Sequence, residues 1–184
     1  MRGTVAALVI AAVGALAILA AGAVVGGGGE ESVPASGTGA ATSATAEPRP
    51  RAPALSGADA ITGEPVSLAG FAGKPVVVHV WASWCGACAE EAEALARFAA
   101  ENPDVAVLGI DFQDDPAGAR RFYERFGWKH PSIADPQGEL TARLALLDLP
   151  TTIFLSREGR IVARVNGPAD LAALEKGLER ARQA

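Results

Sequence analysis

The chain has few of the residues that build metal centres and disulfide frameworks. Only two cysteines and two histidines occur in 184 residues. The histidines, His79 and His130, are far apart and no second C-x-x-C accompanies the first, so no zinc ligand set is completed and no metal site is expected. A structural staple is disfavoured too, because a bridge spanning two residues closes almost no loop and removes little entropy from the unfolded chain. Basic charge is also scarce: 16 Lys and Arg against 21 Asp and Glu give a net charge of −5 and a pI near 5.1. With no basic face and no arginine-aromatic interleaving, nucleic acid is not an expected partner. Internal repeats are missing, so the chain is not an array of similar units.

Both cysteines fall in Trp84-Cys85-Gly86-Ala87-Cys88. The apolar, β-branched run Val76 to Trp81 precedes them and the helix-like stretch Ala89 to Ala100 follows. The dithiol therefore sits on a turn between a strand and a helix N-terminus. Backbone N–H groups at a helix start lack intrahelical partners, and with the helix dipole they favour an anion, so the Cys85 thiolate is expected to be stabilised. A low-pKa thiol beside a second thiol is a redox centre that needs no cofactor beyond its own sulfurs.

Three regions are expected. Residues 1–25 carry Arg2 and then an uncharged apolar run from Thr4 to Val25, about 20 residues and long enough to cross a bilayer as a helix. The competing reading is a cleaved secretory leader, whose apolar part is usually only about 7–15 residues; Ala21-Gly22-Ala23 offers the small residues for cleavage. Arg2 before the span and Glu30 and Glu31 after it place the remainder outside the cytoplasm. The expected location is the cell membrane, single-pass, or the exterior if the leader is removed. Residues 26–52 are mostly glycine, alanine, serine, threonine and proline and read as a flexible tether.

Residues 53–184 alternate strand-like and helix-like segments. A hairpin is expected around Thr62-Gly63-Glu64-Pro65, strands over Val76 to Trp81 and Val105 to Asp111, and a helix over Asp115 to Gly127 with Pro116 at its first position. A short extended piece at 132–134, a helix over Gln137 to Leu147, strands at Thr151 to Leu155 and Ile161 to Val165, and a helix from Pro168 to Ala184 complete the order. That order predicts an α/β sandwich with a central mixed sheet.

The residues Val77 to Cys88, Gly109-Ile110-Asp111 and Leu149-Pro150-Thr151-Thr152 resemble the thioredoxin superfamily, and within it the membrane-tethered TlpA/ResA/CcmG branch. The resemblance covers about Ala58 to Ala184 and implies a thioredoxin-like three-layer sandwich with a cis Leu149-Pro150 bond beside the dithiol. It implies that Cys85 is the exposed nucleophile, that Cys88 resolves the mixed disulfide, and that Trp84, Leu149 and Pro150 line the substrate groove. Glu91, one helical turn after Cys88, is a candidate proton acceptor for Cys88 or else a solvated helix residue like Glu90 and Glu93. His79, where the branch often has asparagine, is either a second proton acceptor or a satisfied core histidine. The chain departs from the family in having Glu93 where a proline usually kinks the active-site helix. The expected activity is extracytoplasmic thiol-disulfide exchange with exported proteins. A reductant of the cytochrome c maturation type, supplied by a transmembrane electron-transfer partner, comes first; an oxidant of secreted proteins and a thioredoxin-fold copper-delivery or binding module are the alternatives.

Overall fold

The computed structural model describes residues 49–146 and 148–184. The expected span over residues 1–25 and the tether from 26 to 48 lie outside the described residues. No helix among the described residues is long and apolar enough to cross a membrane. At the end of the stretch read as a tether, Pro50 and Ala52 already hydrogen-bond to Ile161 and Gly159 through their backbones.

Strands β1 (Ser56–Ala58) and β2 (Pro65–Ser67) form an antiparallel hairpin, and Leu68–Phe71 follows as a short 3-10 turn. β3 (Val76–Trp81) leads into helix α1 (Gly86–Glu101), then β4 (Ala106–Phe112), α2 (Pro116–Phe126), β5 (Ser132–Asp135) and α3 (Glu139–Arg143). β6 (Thr151–Leu155), β7 (Ile161–Asn166) and α4 (Leu171–Arg182) close the chain. The sheet runs β5-β4-β3-β6-β7; β3 pairs parallel with β4 and antiparallel with β6. This is an α/β fold with a central mixed sheet, as the element order predicts, and thioredoxin-like, as the resemblance implies.

Side chains alternate across each strand, so one strand feeds two cores. Val77, Trp81, Val107 and Phe154 pack under α1, α2 and α4, while Val76, Val78, Val80, Leu108, Ile110 and Ile153 pack with Leu55 and with Leu140 of α3. His79 shares the first face with Val77 and Trp81. By the same alternation Asp111 shares that face with Val107.

Helix α1 is one uninterrupted element, with Cys85 as N-cap and Asn102 closing its end through a side-chain bond to the Phe98 carbonyl at 3.0 Å. Its buried stripe is Cys88, Glu91, Ala92, Leu95 and Phe98, the spacing of a face turned to a core. α2 starts as expected, with the Asp115 carboxylate accepting from Gly118 N–H at 2.9 Å and Pro116 at the first position; Gly127 ends it in the left-handed conformation. α3 is shorter than expected and α4 begins three residues later than Pro168, where Asp170 caps the Ala173 N–H at 2.8 Å.

α4 lies close on the sheet because Gly177 has no side chain: a Cβ there would stand 2.3 Å from the Phe154 ring. Phe154 is fully buried and cannot swing away. Gly177→Ala is therefore expected to destabilise the fold by about 1–3 kcal/mol, the usual cost of overpacking a filled core, read as a lower urea midpoint with an unchanged slope.

Candidate active site

The dithiol stands where β3 ends and α1 begins. β3 is buried along its whole length, which fixes Trp81; Ala82 to Trp84 then turn the chain, with Cys85 N–H bonded to the Ala82 carbonyl at 3.2 Å. Cys85 caps the helix, its sulfur accepting from Cys88 N–H at 3.1 Å. That is the anion-stabilising position anticipated for the attacking thiolate. Cys85 and Cys88 are joined as a disulfide.

The expectation of an openly exposed nucleophile needs adjustment. Cys85 is 7 % accessible and Cys88 0 %, while neighbouring Trp84 is 59 % accessible. Cys85 is the outer sulfur, shielded by its own turn, and Trp84 is the large apolar side chain presented to solvent. Trp84 is held upright by its indole N–H, which donates to the Gln113 carbonyl at 3.2 Å.

Beside Cys85 lies a groove of about 590 Å³, lined by Trp84, Phe112, Ala142, Leu146 and Leu149 among others, with Asp148 as the one charged side chain on its wall among the described residues. The Leu149-Pro150 bond is cis, as the resemblance implies, and Pro150 is buried next to β6. Leu149 N–H donates to its neighbour's carboxylate, Asp148 Oδ1, at 2.8 Å.

Where α1 packs on β3 the structure joins the two residues that the sequence presents separately. Glu91 is buried, unlike its exposed neighbours Glu90 and Glu93. Its Oε1 faces His79 Nε2 at 3.3 Å, and neither atom has another partner among the described residues. Its other oxygen accepts from Ala169 N–H, and His79 Nδ1 meets Thr152 Oγ1 at 3.1 Å. His79 and Thr152 are register partners across β3 and β6. His79 is thus a core histidine paired to side chains rather than to backbone.

Burial decides the charge of this pair. It lowers the His79 imidazole to about 3, with a smaller push in the same direction from His130. It raises the Glu91 carboxyl to about 7, opposed by the Ala169 N–H. Near neutral pH the pair is thus an uncharged imidazole beside a carboxyl poised to gain or lose a proton, and Glu91 lies one helical turn from Cys88 on the same buried stripe.

Sequence reasoning missed Asp111. It sits in register with Trp81 at the end of β4 and is buried, its carboxyl raised to about 8 by burial and by neighbouring Asp114. The available signal was a carboxylate two residues beyond Gly109 on the inner face of a buried strand. His130 packs on Trp128 and Tyr123, and Trp128 in turn meets the His79 ring edge-on.

A profile of the family described as Redoxin matches residues 48–178. Among curated proteins, the "Thiol-disulfide oxidoreductase ResA" of Bacillus thuringiensis subsp. konkukian is 22% identical over 122 residues, 65% of this chain and 70% of that protein. The "Thiol:disulfide interchange protein DsbE" of Xylella fastidiosa is 33% identical over 95 residues, 51% of this chain and 48% of that protein. Among solved structures, a DsbF homologue from Corynebacterium diphtheriae superposes with a TM-score of 0.67 at 29% identity, over 71% of this chain and 86% of that one.

Proposed function

Because the chain belongs to the Redoxin family and is a thiol-disulfide oxidoreductase of the ResA and DsbE type, we propose that it acts outside the cytoplasm as a reductant of exported proteins. Apocytochrome c, whose C-x-x-C-H motif must be a dithiol before haem attachment, is the substrate type this reading favours. The observation that carries the reading is the charge around the dithiol. A disulfide becomes a strong oxidant when its reduced, thiolate form is stabilised. Here the charged group on the groove wall is the Asp148 carboxylate, and buried Glu91, one helical turn from Cys88, is an acid. Each negative charge near the sulfurs disfavours the thiolate and so favours giving electrons away.

The exchange proceeds through the two sulfurs with no further cofactor. Cys85 thiolate attacks one sulfur of a substrate disulfide; that S–S bond breaks and the departing substrate thiolate takes a proton. Cys88 then gives its proton to the Glu91–His79 pair and attacks the Cys85 sulfur, releasing the second substrate thiolate. The substrate has gained two electrons and the protein holds the Cys85–Cys88 disulfide. A donor able to carry electrons across the membrane must then reduce it, and residues 1–25 would keep the domain within that donor's reach. A substrate strand would lie along Trp84, Leu149 and Pro150, displacing the Asp148 carboxylate from the Leu149 N–H.

Equilibration of the Cys85–Cys88 couple with glutathione or thioredoxin tests the direction. A potential near the thioredoxin end, about −270 mV, is expected; one near the DsbA end, about −120 mV, would make the protein an oxidant. A dithiol that binds Cu(I) and exchanges with no disulfide would support the copper-delivery alternative instead.

A further inference from the structure

The turn that carries Cys85 hangs from the loop after β4. Ser83 N–H donates to Asp114 Oδ2 and Ser83 Oγ–H donates to Asp114 Oδ1 at 2.7 Å. Trp84 Nε1–H donates to the Gln113 carbonyl in the same loop. Gln113 is held in the left-handed region at φ 46°, a conformation a non-glycine residue adopts at a cost. Gly118 of α2 leaves the room this contact needs, since a Cβ there would stand 2.4 Å from Ser83 Oγ.

Beneath Asp114 lies Asp111, 5 % accessible. Its Oδ1 is buried with no hydrogen-bond partner among the described residues, and the carboxyl of Asp114, another acceptor, is its neighbour. Two neighbouring carboxylates, one buried and one half-buried, disfavour double ionisation, and two bare oxygens cannot satisfy each other. The arrangement closes only when the pair carries one proton. Asp114 already accepts three hydrogen bonds, from Ser83 N–H, Ser83 Oγ–H and Asp115 N–H, whereas Asp111 Oδ1 has no partner among the described residues, so the proton of the pair is placed on Asp111.

We propose that Asp111 is a positioning residue for thiol-disulfide exchange: its protonated carboxyl donates to Asp114, Asp114 pins Ser83, and loss of that proton loosens the turn that holds Cys85 on the helix N-terminus. The proposal rests on exchange at Cys85 and holds for either direction of electron flow. The other groups around Asp111 do not supply the missing partner. Trp81 of β3 donates its indole N–H to Ser132, and Asp115 of α2 caps its own helix and lies 4.0 Å from Arg121. Tyr123 of α2 donates its hydroxyl to the His130 carbonyl and is itself held un-ionised, chiefly by burial. From β5, Ala134 is the register neighbour of Asp111, while Asp135 lies on the opposite face with its oxygens bonded by Leu140 and Thr141 N–H.

The test uses the oxidised protein, in which neither cysteine titrates. The Trp84 indole N–H and Ser83 amide resonances are followed from about pH 6 to 9.5, a range that spans the Asp111 midpoint near 8. Both should shift with one midpoint in the wild type and in Glu91→Gln, and should stay at their low-pH positions throughout in Asp111→Asn, whose amide donates as the protonated acid does. In the reduced protein at pH 7, iodoacetamide alkylation of Cys85 should slow severalfold in Asp111→Ala, where Asp114 loses its donor, and recover in Asp111→Asn. Resonances that stay still in the wild type, or that titrate equally in Asp111→Asn, overturn the proposal; so do equal alkylation rates for the Ala and Asn variants.

Discussion

Replacing Cys88 by serine is expected to turn the protein into a trap for its substrates, and replacing Cys85 by serine to silence it. The asymmetry follows from burial. A substrate disulfide can reach only the outer sulfur, because Cys88 has no accessible surface and Cys85 retains 7 %. Cys88→Ser keeps the first attack and removes the second, so mixed disulfides accumulate. Cys85→Ser leaves a thiol that no substrate touches, and turnover should fall to the uncatalysed background with no adduct formed. Loss of fold does not confound the second variant, because position 85 is the helix N-cap and serine is among the best N-cap residues, accepting the Cys88 N–H as the sulfur does. Non-reducing electrophoresis with mass spectrometry reads both outcomes. Adducts on Cys85→Ser and none on Cys88→Ser would reverse the assignment of nucleophile and resolving thiol.

The dithiol and the scaffold under it were legible because their signals are local. A short, valine-rich apolar run reads as a strand buried on both faces, and β3 spans Val76–Trp81 as read. Asp115, Pro116 and Gly127 delimit α2 because cap, ring and left-handed glycine each act within one turn. What failed depended on distant partners. The expected helix over Gln137 to Leu147 stops at Arg143, and Arg164 of β7 takes the Leu144 and Ala145 carbonyls with its guanidinium. No window around residue 145 contains that arginine. Glu91 was legible in part: Cys88, Ala92, Leu95 and Phe98 define a stripe that includes position 91, so its charge was the unusual member of a buried face. Its partner was not legible, since the meeting of Glu91 with His79 depends on how α1 lies over β3.

That meeting makes Glu91→Gln the substitution with the most divided consequences. Cys88 must lose its proton to resolve the mixed disulfide, and the acceptor has to be ionised to take it. Burial sets the Glu91 carboxyl at about 7, so resolution in the wild type should accelerate as pH rises through 7. The glutamine variant cannot accept the proton; the step should slow by about 10²-fold or more, the low end of what a positioned general base contributes, and lose its inflection near pH 7. Single-turnover release of a fluorescent mixed-disulfide peptide measures that step apart from the first attack. Stability should move the other way. The unfolded chain releases the Glu91 proton near 4.5 and the folded chain near 7, so the folded state binds the extra proton between these values and loses stability as pH rises across them. The loss is complete above 7 and amounts to no more than a few kcal/mol, because each tenfold change in proton affinity between the two states is worth about 1.4 kcal/mol. His79 contributes the opposite slope, because its folded value near 3 lies below its unfolded value near 6.5, so stability is gained between those two. The limbs oppose each other from 4.5 to 6.5, and Glu91→Gln removes only the falling one. At pH 8 the variant should unfold at a higher urea concentration than the wild type while exchanging disulfides far more slowly. A variant that is less stable at pH 8 yet resolves the mixed disulfide at the wild-type rate, with its inflection near pH 7 intact, would mean that Glu91 is held there for packing, and that Cys88 gives its proton elsewhere.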